Sequence, residues 1–441
     1  MTSTTICIVG GGSYNWSPII LRDLAAIPEL GGKIVLHDIN EEALEDIRRL
    51  GEQIMAATDG GFSIEATTNL AEALRGAEFV VVTITTGGLE AMAHDLDIPR
   101  KYGIYQSVGD TVGPGGLSRA LRNIPPMLEI ARTMEQVCPD AWLLNLTNPM
   151  TTLTRAVTKT TRIKTVGLCH ELFGVRRTLK EMFGASDDEF AFKLAGINHM
   201  TWLLDLKIRG EDGVELLRSA LRDGRPIPLK ATSGAFLPPF QDRWGVKLAL
   251  LDVYGYLAGA GDRHVAEFFP SFLTEETRAG ADYGVLLTEI SHRREMGAVA
   301  RDSVRAWISG AEPLPTGRSE EPVADIVAAI ASGRSLYTVL NLPNSGQIAN
   351  LPRDVVVETM GVIGPTGAAG VSVGDLPPAL LGTIIPHVIN QELIVEAALT
   401  GDRRLALQAL LGDPLVRDFR AAPKLLDELL AAHAPYLPQF A

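Results

Sequence analysis

An apolar strand pattern, Thr5-Ile6-Cys7-Ile8-Val9, runs directly into Gly10-Gly11-Gly12-Ser13, and a helical pattern opened by Pro18 follows over 18–27. No other feature constrains this chain as strongly, because strand, glycine turn and helix together make a β-loop-α unit. A second strand is predicted over 33–38, ending in Asp38, then an amphipathic helix over 41–58 and a strand buried on both faces over 79–84. A polar glycine-bearing loop, Thr85-Thr86-Gly87-Gly88, closes that strand. Further on the pattern predicts a helix over 125–137 and strands over 141–146 and 165–168. Strands alternating with helices imply a parallel sheet wound by right-handed crossovers. The fold class read for 1–195 is therefore α/β, a doubly wound parallel sheet. Over 196–441 the pattern changes to mixed strands, Pro/Gly loops (226–239, 310–322, 364–378) and helices near 246–258, 280–308, 384–399 and 423–433, which predicts an α+β unit.

The chain has 441 residues, more than one ordinary core, which fits two such units. A net charge of −13 repels phosphate backbones and anionic lipid, and so argues against a nucleic-acid or membrane-surface protein. Three cysteines, Cys7, Cys138 and Cys169, cannot form a disulfide framework. The first residues lack the basic and apolar regions of a signal peptide, and no apolar run approaches the roughly 18 residues that span a bilayer. A cytoplasmic protein is expected.

Several segments carry candidate chemistry. Gly10 and Gly12 let backbone approach a pyrophosphate, the helix start beyond them offers unpaired N–H groups, and Ser13 and Tyr14 continue the turn. Asp38 is placed to accept from an adenosine ribose diol and to repel a 2′-phosphate, which favours NAD over NADP. Thr85 joins this cofactor set from the neighbouring loop. The third glycine of the dinucleotide fingerprint is missing, and tight turns use glycine without any ligand. The segment 94–116 reads as one long polar loop, the kind that carries function in a compact domain. Asn145 and Asn148 end a strand, where they serve either a ligand or an Asn-Pro turn. Cys169-His170-Glu171 and Asn198-His199 hold donors for a divalent metal, without a zinc-type spacing; a buried thiol beside capping histidines is the plainer reading. Gly261-Asp262-Arg263-His264 is an acidic turn that is a base or a surface ion-pair cluster, with Tyr254 and Tyr256 nearby as packing residues.

In order along the chain, GGGSYNWSP (10–18), QSVGDTVGPGG (106–116), ALRNIPPM (120–127), CPDAWLLNLTNPM (138–150), GLCHEL (167–172), GINHMTW (196–202) and NLPNSGQIANLP (341–352) resemble glycoside hydrolase family 4. The resemblance implies an N-terminal Rossmann-like sheet of the lactate/malate dehydrogenase type. It also implies dependence on NAD and on a divalent metal, usually Mn2+. Carried over position by position, Cys169 and His199 match the metal ligands, and Asn148 a substrate-contacting asparagine. His170, following the cysteine, matches a specificity position that can act as general acid. Asp262 falls where the family has its base, with Tyr256 as the alternative. His-Glu-Leu after the cysteine looks like the branch that cleaves unphosphorylated α-glycosides. A homodimer or homotetramer is implied as well.

The implied chemistry is a transient oxidation. NAD takes hydride from sugar C3, the metal polarises the resulting ketone, and a base removes the acidified C2 proton. The C1 group then leaves, water adds, and C3 is reduced again. Most glycosidases work instead through two carboxylates flanking the scissile bond, an arrangement that this route does not use. Two rivals stay open: an NAD-dependent dehydrogenase of a hydroxy acid or sugar, and a nucleotide-sensing regulator without chemistry. Arg100, Arg119 and Arg122 are candidates for clamping a substrate carboxylate, and sequence alone cannot choose among them.

Overall fold

A computed structural model describes residues 2–229 and 241–441, so the loop expected at 226–239 lies partly outside the described residues. Its strands are β1 (Thr2–Val9), β2 (Leu30–His37), β3 (Gly61–Thr67), β4 (Phe79–Val82), β5 (Trp142–Asn145), β6 (Lys164–Gly167), β7 (Phe190–Ile197), β8 (Met200–Ile208), β9 (Glu211–Asp212), β10 (Leu257–Ala258), β11 (Leu336–Pro343), β12 (Val356–Gly364) and β13 (Gly367–Gly370). All thirteen belong to one sheet, with the path β10-β8-β7-β12-β11-β6-β5-β4-β1-β2-β3 and with β13 on β12 and β9 on β8. From β3 to β6 every pairing is parallel. That half has the doubly wound dinucleotide-binding order, and its strand order reverses between β1 and β4. The other half is antiparallel and joins at β6, where Asn341 pairs with Gly167. The expected division at 195/196 falls inside β7, and the sheet continues across it.

The alternation in β1 shows why the sheet is covered on both faces. Ile6 and Ile8 pack on one side with Leu36, Val81, Leu144 and the helix Val323–Ala331, while Cys7 and Val9 pack on the other with Val80, Val82 and the helix Gly113–Val137. A strand buried on both faces reads as an unbroken apolar run, as this one does. The helix Glu41–Thr58 matches its predicted span, and the Asn40 side chain caps it by accepting from Ala43 N–H.

Two expectations are corrected. The helix predicted from 125 begins at Gly113 and continues through Pro125 and Pro126. The supposed long loop 94–116 is helical up to Arg100, in the helix Gly88–Arg100, so only 101–112 is irregular. The helical period is hidden because a core position carries Asp95, which is fully buried on Arg122. The glycines of the 113–116 run are there for close approach: a Cβ on Gly116 would lie 2.5 Å from the Thr111 carbonyl, and one on Gly115 2.7 Å from that of Gly109. Helix Pro378–Thr400 is long and apolar enough by composition to cross a membrane. It packs instead on Gly113–Val137, Met150–Thr160 and Arg403–Gly412, and its Glu392 and Glu396 pair with Arg155 and Lys159.

Candidate active site

The C-terminal ends of the parallel strands supply the first parts. After β1, the N–H groups of Gly10 and Gly11 both donate to the carbonyl of His37, which turns the chain tightly beside the end of β2. Gly10 has φ +87°, and a Cβ there would stand 2.2 Å from the Thr83 carbonyl, so only glycine fits. Asp38 accepts from Gly12 N–H at 3.0 Å and from Asn40 N–H at 3.0 Å, which holds its carboxylate against the glycine turn. A side chain on Gly12 would meet that carboxylate at 3.0 Å. This cradle fits a ribose and pyrophosphate lying on backbone. Ser13 accepts from Trp16 N–H, and Thr85 is exposed at the end of β4. Tyr14 turns its hydroxyl away to Asp46 at 2.9 Å, which leaves its ring as the part nearest the turn.

His199 occupies the turn between β7 and β8 with φ +66°, a left-handed conformation uncommon outside glycine. Its Nδ1 lies 2.8 Å from Thr111 Oγ1, and its ring stacks on His264 with centroids 3.7 Å apart. Asp110 Oδ1 lies 3.8 Å from His264 Nδ1, and its Oδ2 accepts from the Asn148 amide at 3.4 Å. Asp110, His199 and His264 each offer a ligand atom, all within 4.8 Å of one another. Burial and the neighbouring His264 pull the His199 pKa down to about 3. Burial pushes Asp110 upward, but His264, His199 and Arg119 outweigh it and hold this carboxyl well below the usual range. Neutral imidazole beside ionised carboxylate is the protonation state in which a divalent cation such as Mn2+ is bound. The donor set fits the metal.

Cys169 is buried at the end of β6 and reaches this cluster through neighbours. Its sulfur accepts from the Glu171 backbone N–H and the Asn198 side chain, but burial with the carboxylates of Glu358 and Glu171 outweighs these and raises its thiol pKa well above the ordinary value. Glu358 is itself buried and accepts from Asn198 and Asn341 at 2.9 and 2.8 Å. Glu171 accepts from Gly261 N–H at 2.7 Å; burial opposes its ionisation, but His264, His170 and His199 bring its pKa to about 2. His170 is half exposed, with Nδ1 3.0 Å from Glu321, Nε2 3.7 Å from Glu171, and its ring 5.8 Å from that of Trp16 in the glycine-turn segment.

The base expected at Asp262 sits in a different arrangement. Its carboxylate is 2% exposed and accepts from the N–H groups of Val246 and Lys247 and from Lys247 Nζ at 2.8 Å, while Asp242 holds the same ammonium at 2.7 Å. A carboxylate bound this way braces one helix start against another, with three of its about four acceptor positions taken and the whole group buried on Lys247, which suits a structural ion pair better than a base for a C2 proton. Tyr256 is half-buried against the main core. Of the three arginines left open by the sequence, Arg100 pairs with Glu289 near the surface and Arg122 is buried on Asp95. Arg119 alone points to the cluster: its Nε donates to the Asn148 carbonyl at 3.1 Å, and it shares the charge environment of Asp110. Asp110 and His264 are thus site residues to which sequence reasoning gives no role. The signal is present, since Asp110 lies in QSVGDTVGPGG and His264 two residues beyond Asp262.

Comparison with known proteins agrees with this architecture. The sequence profile described as family 4 glycosyl hydrolase matches residues 5–185, and that of the family 4 C-terminal domain matches 194–416. The chain is 33% identical to an alpha-galacturonidase of Lachnoclostridium phytofermentans, over 100% of this chain and 98% of that one. It is 32% identical to an alpha-galactosidase of Rhizobium meliloti, over 100% and 90%. The crystal structure of lplD from Bacillus subtilis, a glucosidase candidate, superposes with a TM-score of 0.90 at 34% identity, covering 98% of this chain and 100% of that one. The fold alone is shared with a 6-phospho-alpha-glucosidase from gut microorganisms in complex with NAD and Mn2+ (TM-score 0.83, 23% identity, 100% of both chains). It is also shared with a Cryptosporidium parvum lactate dehydrogenase (TM-score 0.55, 13% identity, 90% and 99%).

Proposed function

Because the chain belongs to family 4 of the glycosyl hydrolases, we propose that it hydrolyses unphosphorylated α-linked glycosides of a uronic acid, with NAD and a divalent cation, Mn2+ in the first instance, as cofactors. The observation that carries this reading is the Asp110–His199–His264 cluster linked through Asn148 to Arg119. When bound, NAD supplies a hydride acceptor for sugar C3, and the cation a Lewis acid for the C2 and C3 oxygens.

The remaining work falls to this chain's own groups. Gly10, Gly12, Ser13 and Asp38 hold the dinucleotide, with Tyr14 and Thr85 at its flanks. His199 and Cys169 hold the cation, and Thr111 fixes the His199 ring by its bond to Nδ1, leaving Nε2 for the metal. Asp110, held ionised, would join them as a third donor, and His264, 3.8 Å from it, accepts the C2 proton as the base. His170 stands between Glu171 and Glu321 and delivers a proton to the departing C1 oxygen. Asn148 orients a sugar hydroxyl. Arg119 receives the substrate carboxylate, which is the choice that the galacturonidase relatives at 33–34% identity favour over a neutral hexose. Three free, buried cysteines suit a reducing compartment, so the cytoplasm is the proposed site of action. A homo-oligomer is the proposed assembly, with the outward Ile389 of helix Pro378–Thr400 as part of its contact.

The test is a panel of p-nitrophenyl α- and β-glycosides, including the α-galacturonide, assayed with NAD, Mn2+ and a thiol reductant. The α-galacturonide should be cleaved fastest, and a chelator should stop the reaction. Net NADH formation from a hydroxy acid, indifferent to chelator, would favour the dehydrogenase instead.

A further inference from the structure

Residues 417–441 lie beyond both matched family profiles, yet their helix Ala422–Ala432 packs on the helices Gly88–Arg100 and Gly113–Val137. His433, at the close of helix Ala422–Ala432, is fully buried, and its Nε2 lies 3.1 Å from Asp95 Oδ1. Asp95, buried as deeply, is gripped by both terminal nitrogens of Arg122. The third nitrogen of that guanidinium, Nε, donates to the carbonyl of Thr86 at 3.0 Å. Asn123, the next residue of the same helix, accepts from Thr86 N–H at 3.0 Å and donates to the Asn148 carbonyl at 3.2 Å. The Thr86 carbonyl is therefore held by a chain that starts at the C-terminal segment, and its N–H by the neighbouring Asn123.

Two further contacts tie the segment down. The Tyr436 ring fills the space beside Gly87, where an added Cβ would stand 2.8 Å from its Cε2. The Gln439 amide donates to the Leu121 carbonyl at 2.9 Å, on the helix that carries Arg122. A loop at the reversal of strand order, between β1 and β4, borders the crevice in which ligands of such sheets bind.

We infer that residues 433–439 form a strap that sets the shape of the loop Thr85–Gly88, with His433 acting through Asp95 and Arg122 as a positioning residue for the nicotinamide dinucleotide. The inference rests on the NAD reading above. It adds that cofactor affinity is controlled from the opposite terminus of the chain, by residues that touch neither the cofactor nor the metal donors. A polar side chain of similar reach at 433 should preserve much of the relay by filling the space against Asp95 Oδ1, which Ser118 Oγ and Arg122 also hold. Loss of the donor leaves Asp95 and Arg122 paired but free to shift, and Thr86 shifts with them.

The experiment uses the full chain in three forms: wild type, His433→Ala and His433→Gln. Hydrogen–deuterium exchange of the peptide spanning 85–88 is measured without cofactor, alongside NAD affinity and Mn2+ affinity by calorimetry. In His433→Ala the 85–88 amides should exchange faster and NAD affinity should fall about tenfold, a coupling of ordinary size. Mn2+ affinity should stay within about twofold, and His433→Gln should recover most of the loss. Unchanged exchange and NAD affinity in folded His433→Ala overturns the inference, as does an equal loss of NAD and Mn2+ binding. Should His433→Ala not fold, Tyr436→Ala gives the same reading with a smaller loss of NAD affinity, and no loss there overturns it. A wild type that binds no NAD overturns the cofactor reading itself, and the exchange at 85–88 separates that failure from failure of the strap.

Discussion

A divalent cation takes imidazole only in its neutral form, and burial beside His264 keeps His199 neutral throughout the physiological range. Cys169 differs, because burial and two carboxylates favour its protonated form until a cation is present. The two residues should therefore respond differently to substitution. Cys169→Ser should weaken Mn2+ binding at least about tenfold while NAD affinity holds, and His199→Ala should weaken it further. Calorimetric titration of each cofactor checks this, and unchanged Mn2+ affinity in Cys169→Ser would remove the thiol from the site. Asp262 belongs to a buried ion pair, so Asp262→Asn should cost about 2 kcal/mol of stability, because the Lys247 ammonium is left with Asp242 alone. Solvent exchange at sugar C2 should persist in the folded fraction of that variant. Glu267, buried with only the Val108 and Gly109 N–H groups on one oxygen, has its pKa raised to about 8, chiefly by burial. Folded protein then holds a proton that the unfolded chain has already released, so wild-type stability should fall as pH rises from 4.5 to 8. Thermal melts of Glu267→Gln should lack that part of the fall. At this scale the sequence shows which segments matter but not which way their side chains point. Asp262 and His264 stand two apart on one short helix, nearly opposite in direction, and residue type alone favours the acid as base.

Elements are legible where burial is simple. The helix Glu41–Thr58 and the strands β4 to β6 can be read because their apolar residues keep the period of the structure they form. The helix Gly88–Arg100 and the part of Gly113–Val137 before Pro125 escape such a reading because they meet across a buried Asp95–Arg122 pair and a glycine-lined contact, which put charged residues and glycines at core positions. That contact has a testable consequence. Gly116→Ala would force the Thr111 backbone outward by its 2.5 Å approach, and Thr111 holds the His199 ring. The variant should lose roughly 1–3 kcal/mol of stability, the usual cost of overpacking, and bind Mn2+ more weakly than wild type. Denaturant melts and a metal titration measure the two effects. The mixed half of the sheet offers less, since antiparallel β7, β8, β11 and β12 draw partners from 340 and 360 back to 167 and 196, pairings that no local pattern announces.

Across the whole molecule, one continuous sheet carries both the dinucleotide turn and the β7–β8 turn, and the contacts of His170 with Trp16 and of Cys169 with Asn198 join them into one candidate site. Residues from both matched profiles enter it: Asp110, Asn148 and Cys169 from the first, His199 and His264 from the second. A plain dehydrogenase needs the first half alone, whereas the metal donors come from both. The account turns on a hydride that leaves sugar C3 and returns, with the C2 proton lost in between. Hydrolysis of an α-galacturonide in deuterium oxide, followed by mass spectrometry and proton NMR of the released sugar, tests it most directly. The predicted product carries one deuterium at C2, and no NADH accumulates. A hydrolysed sugar with its original hydrogen at C2 would contradict the account.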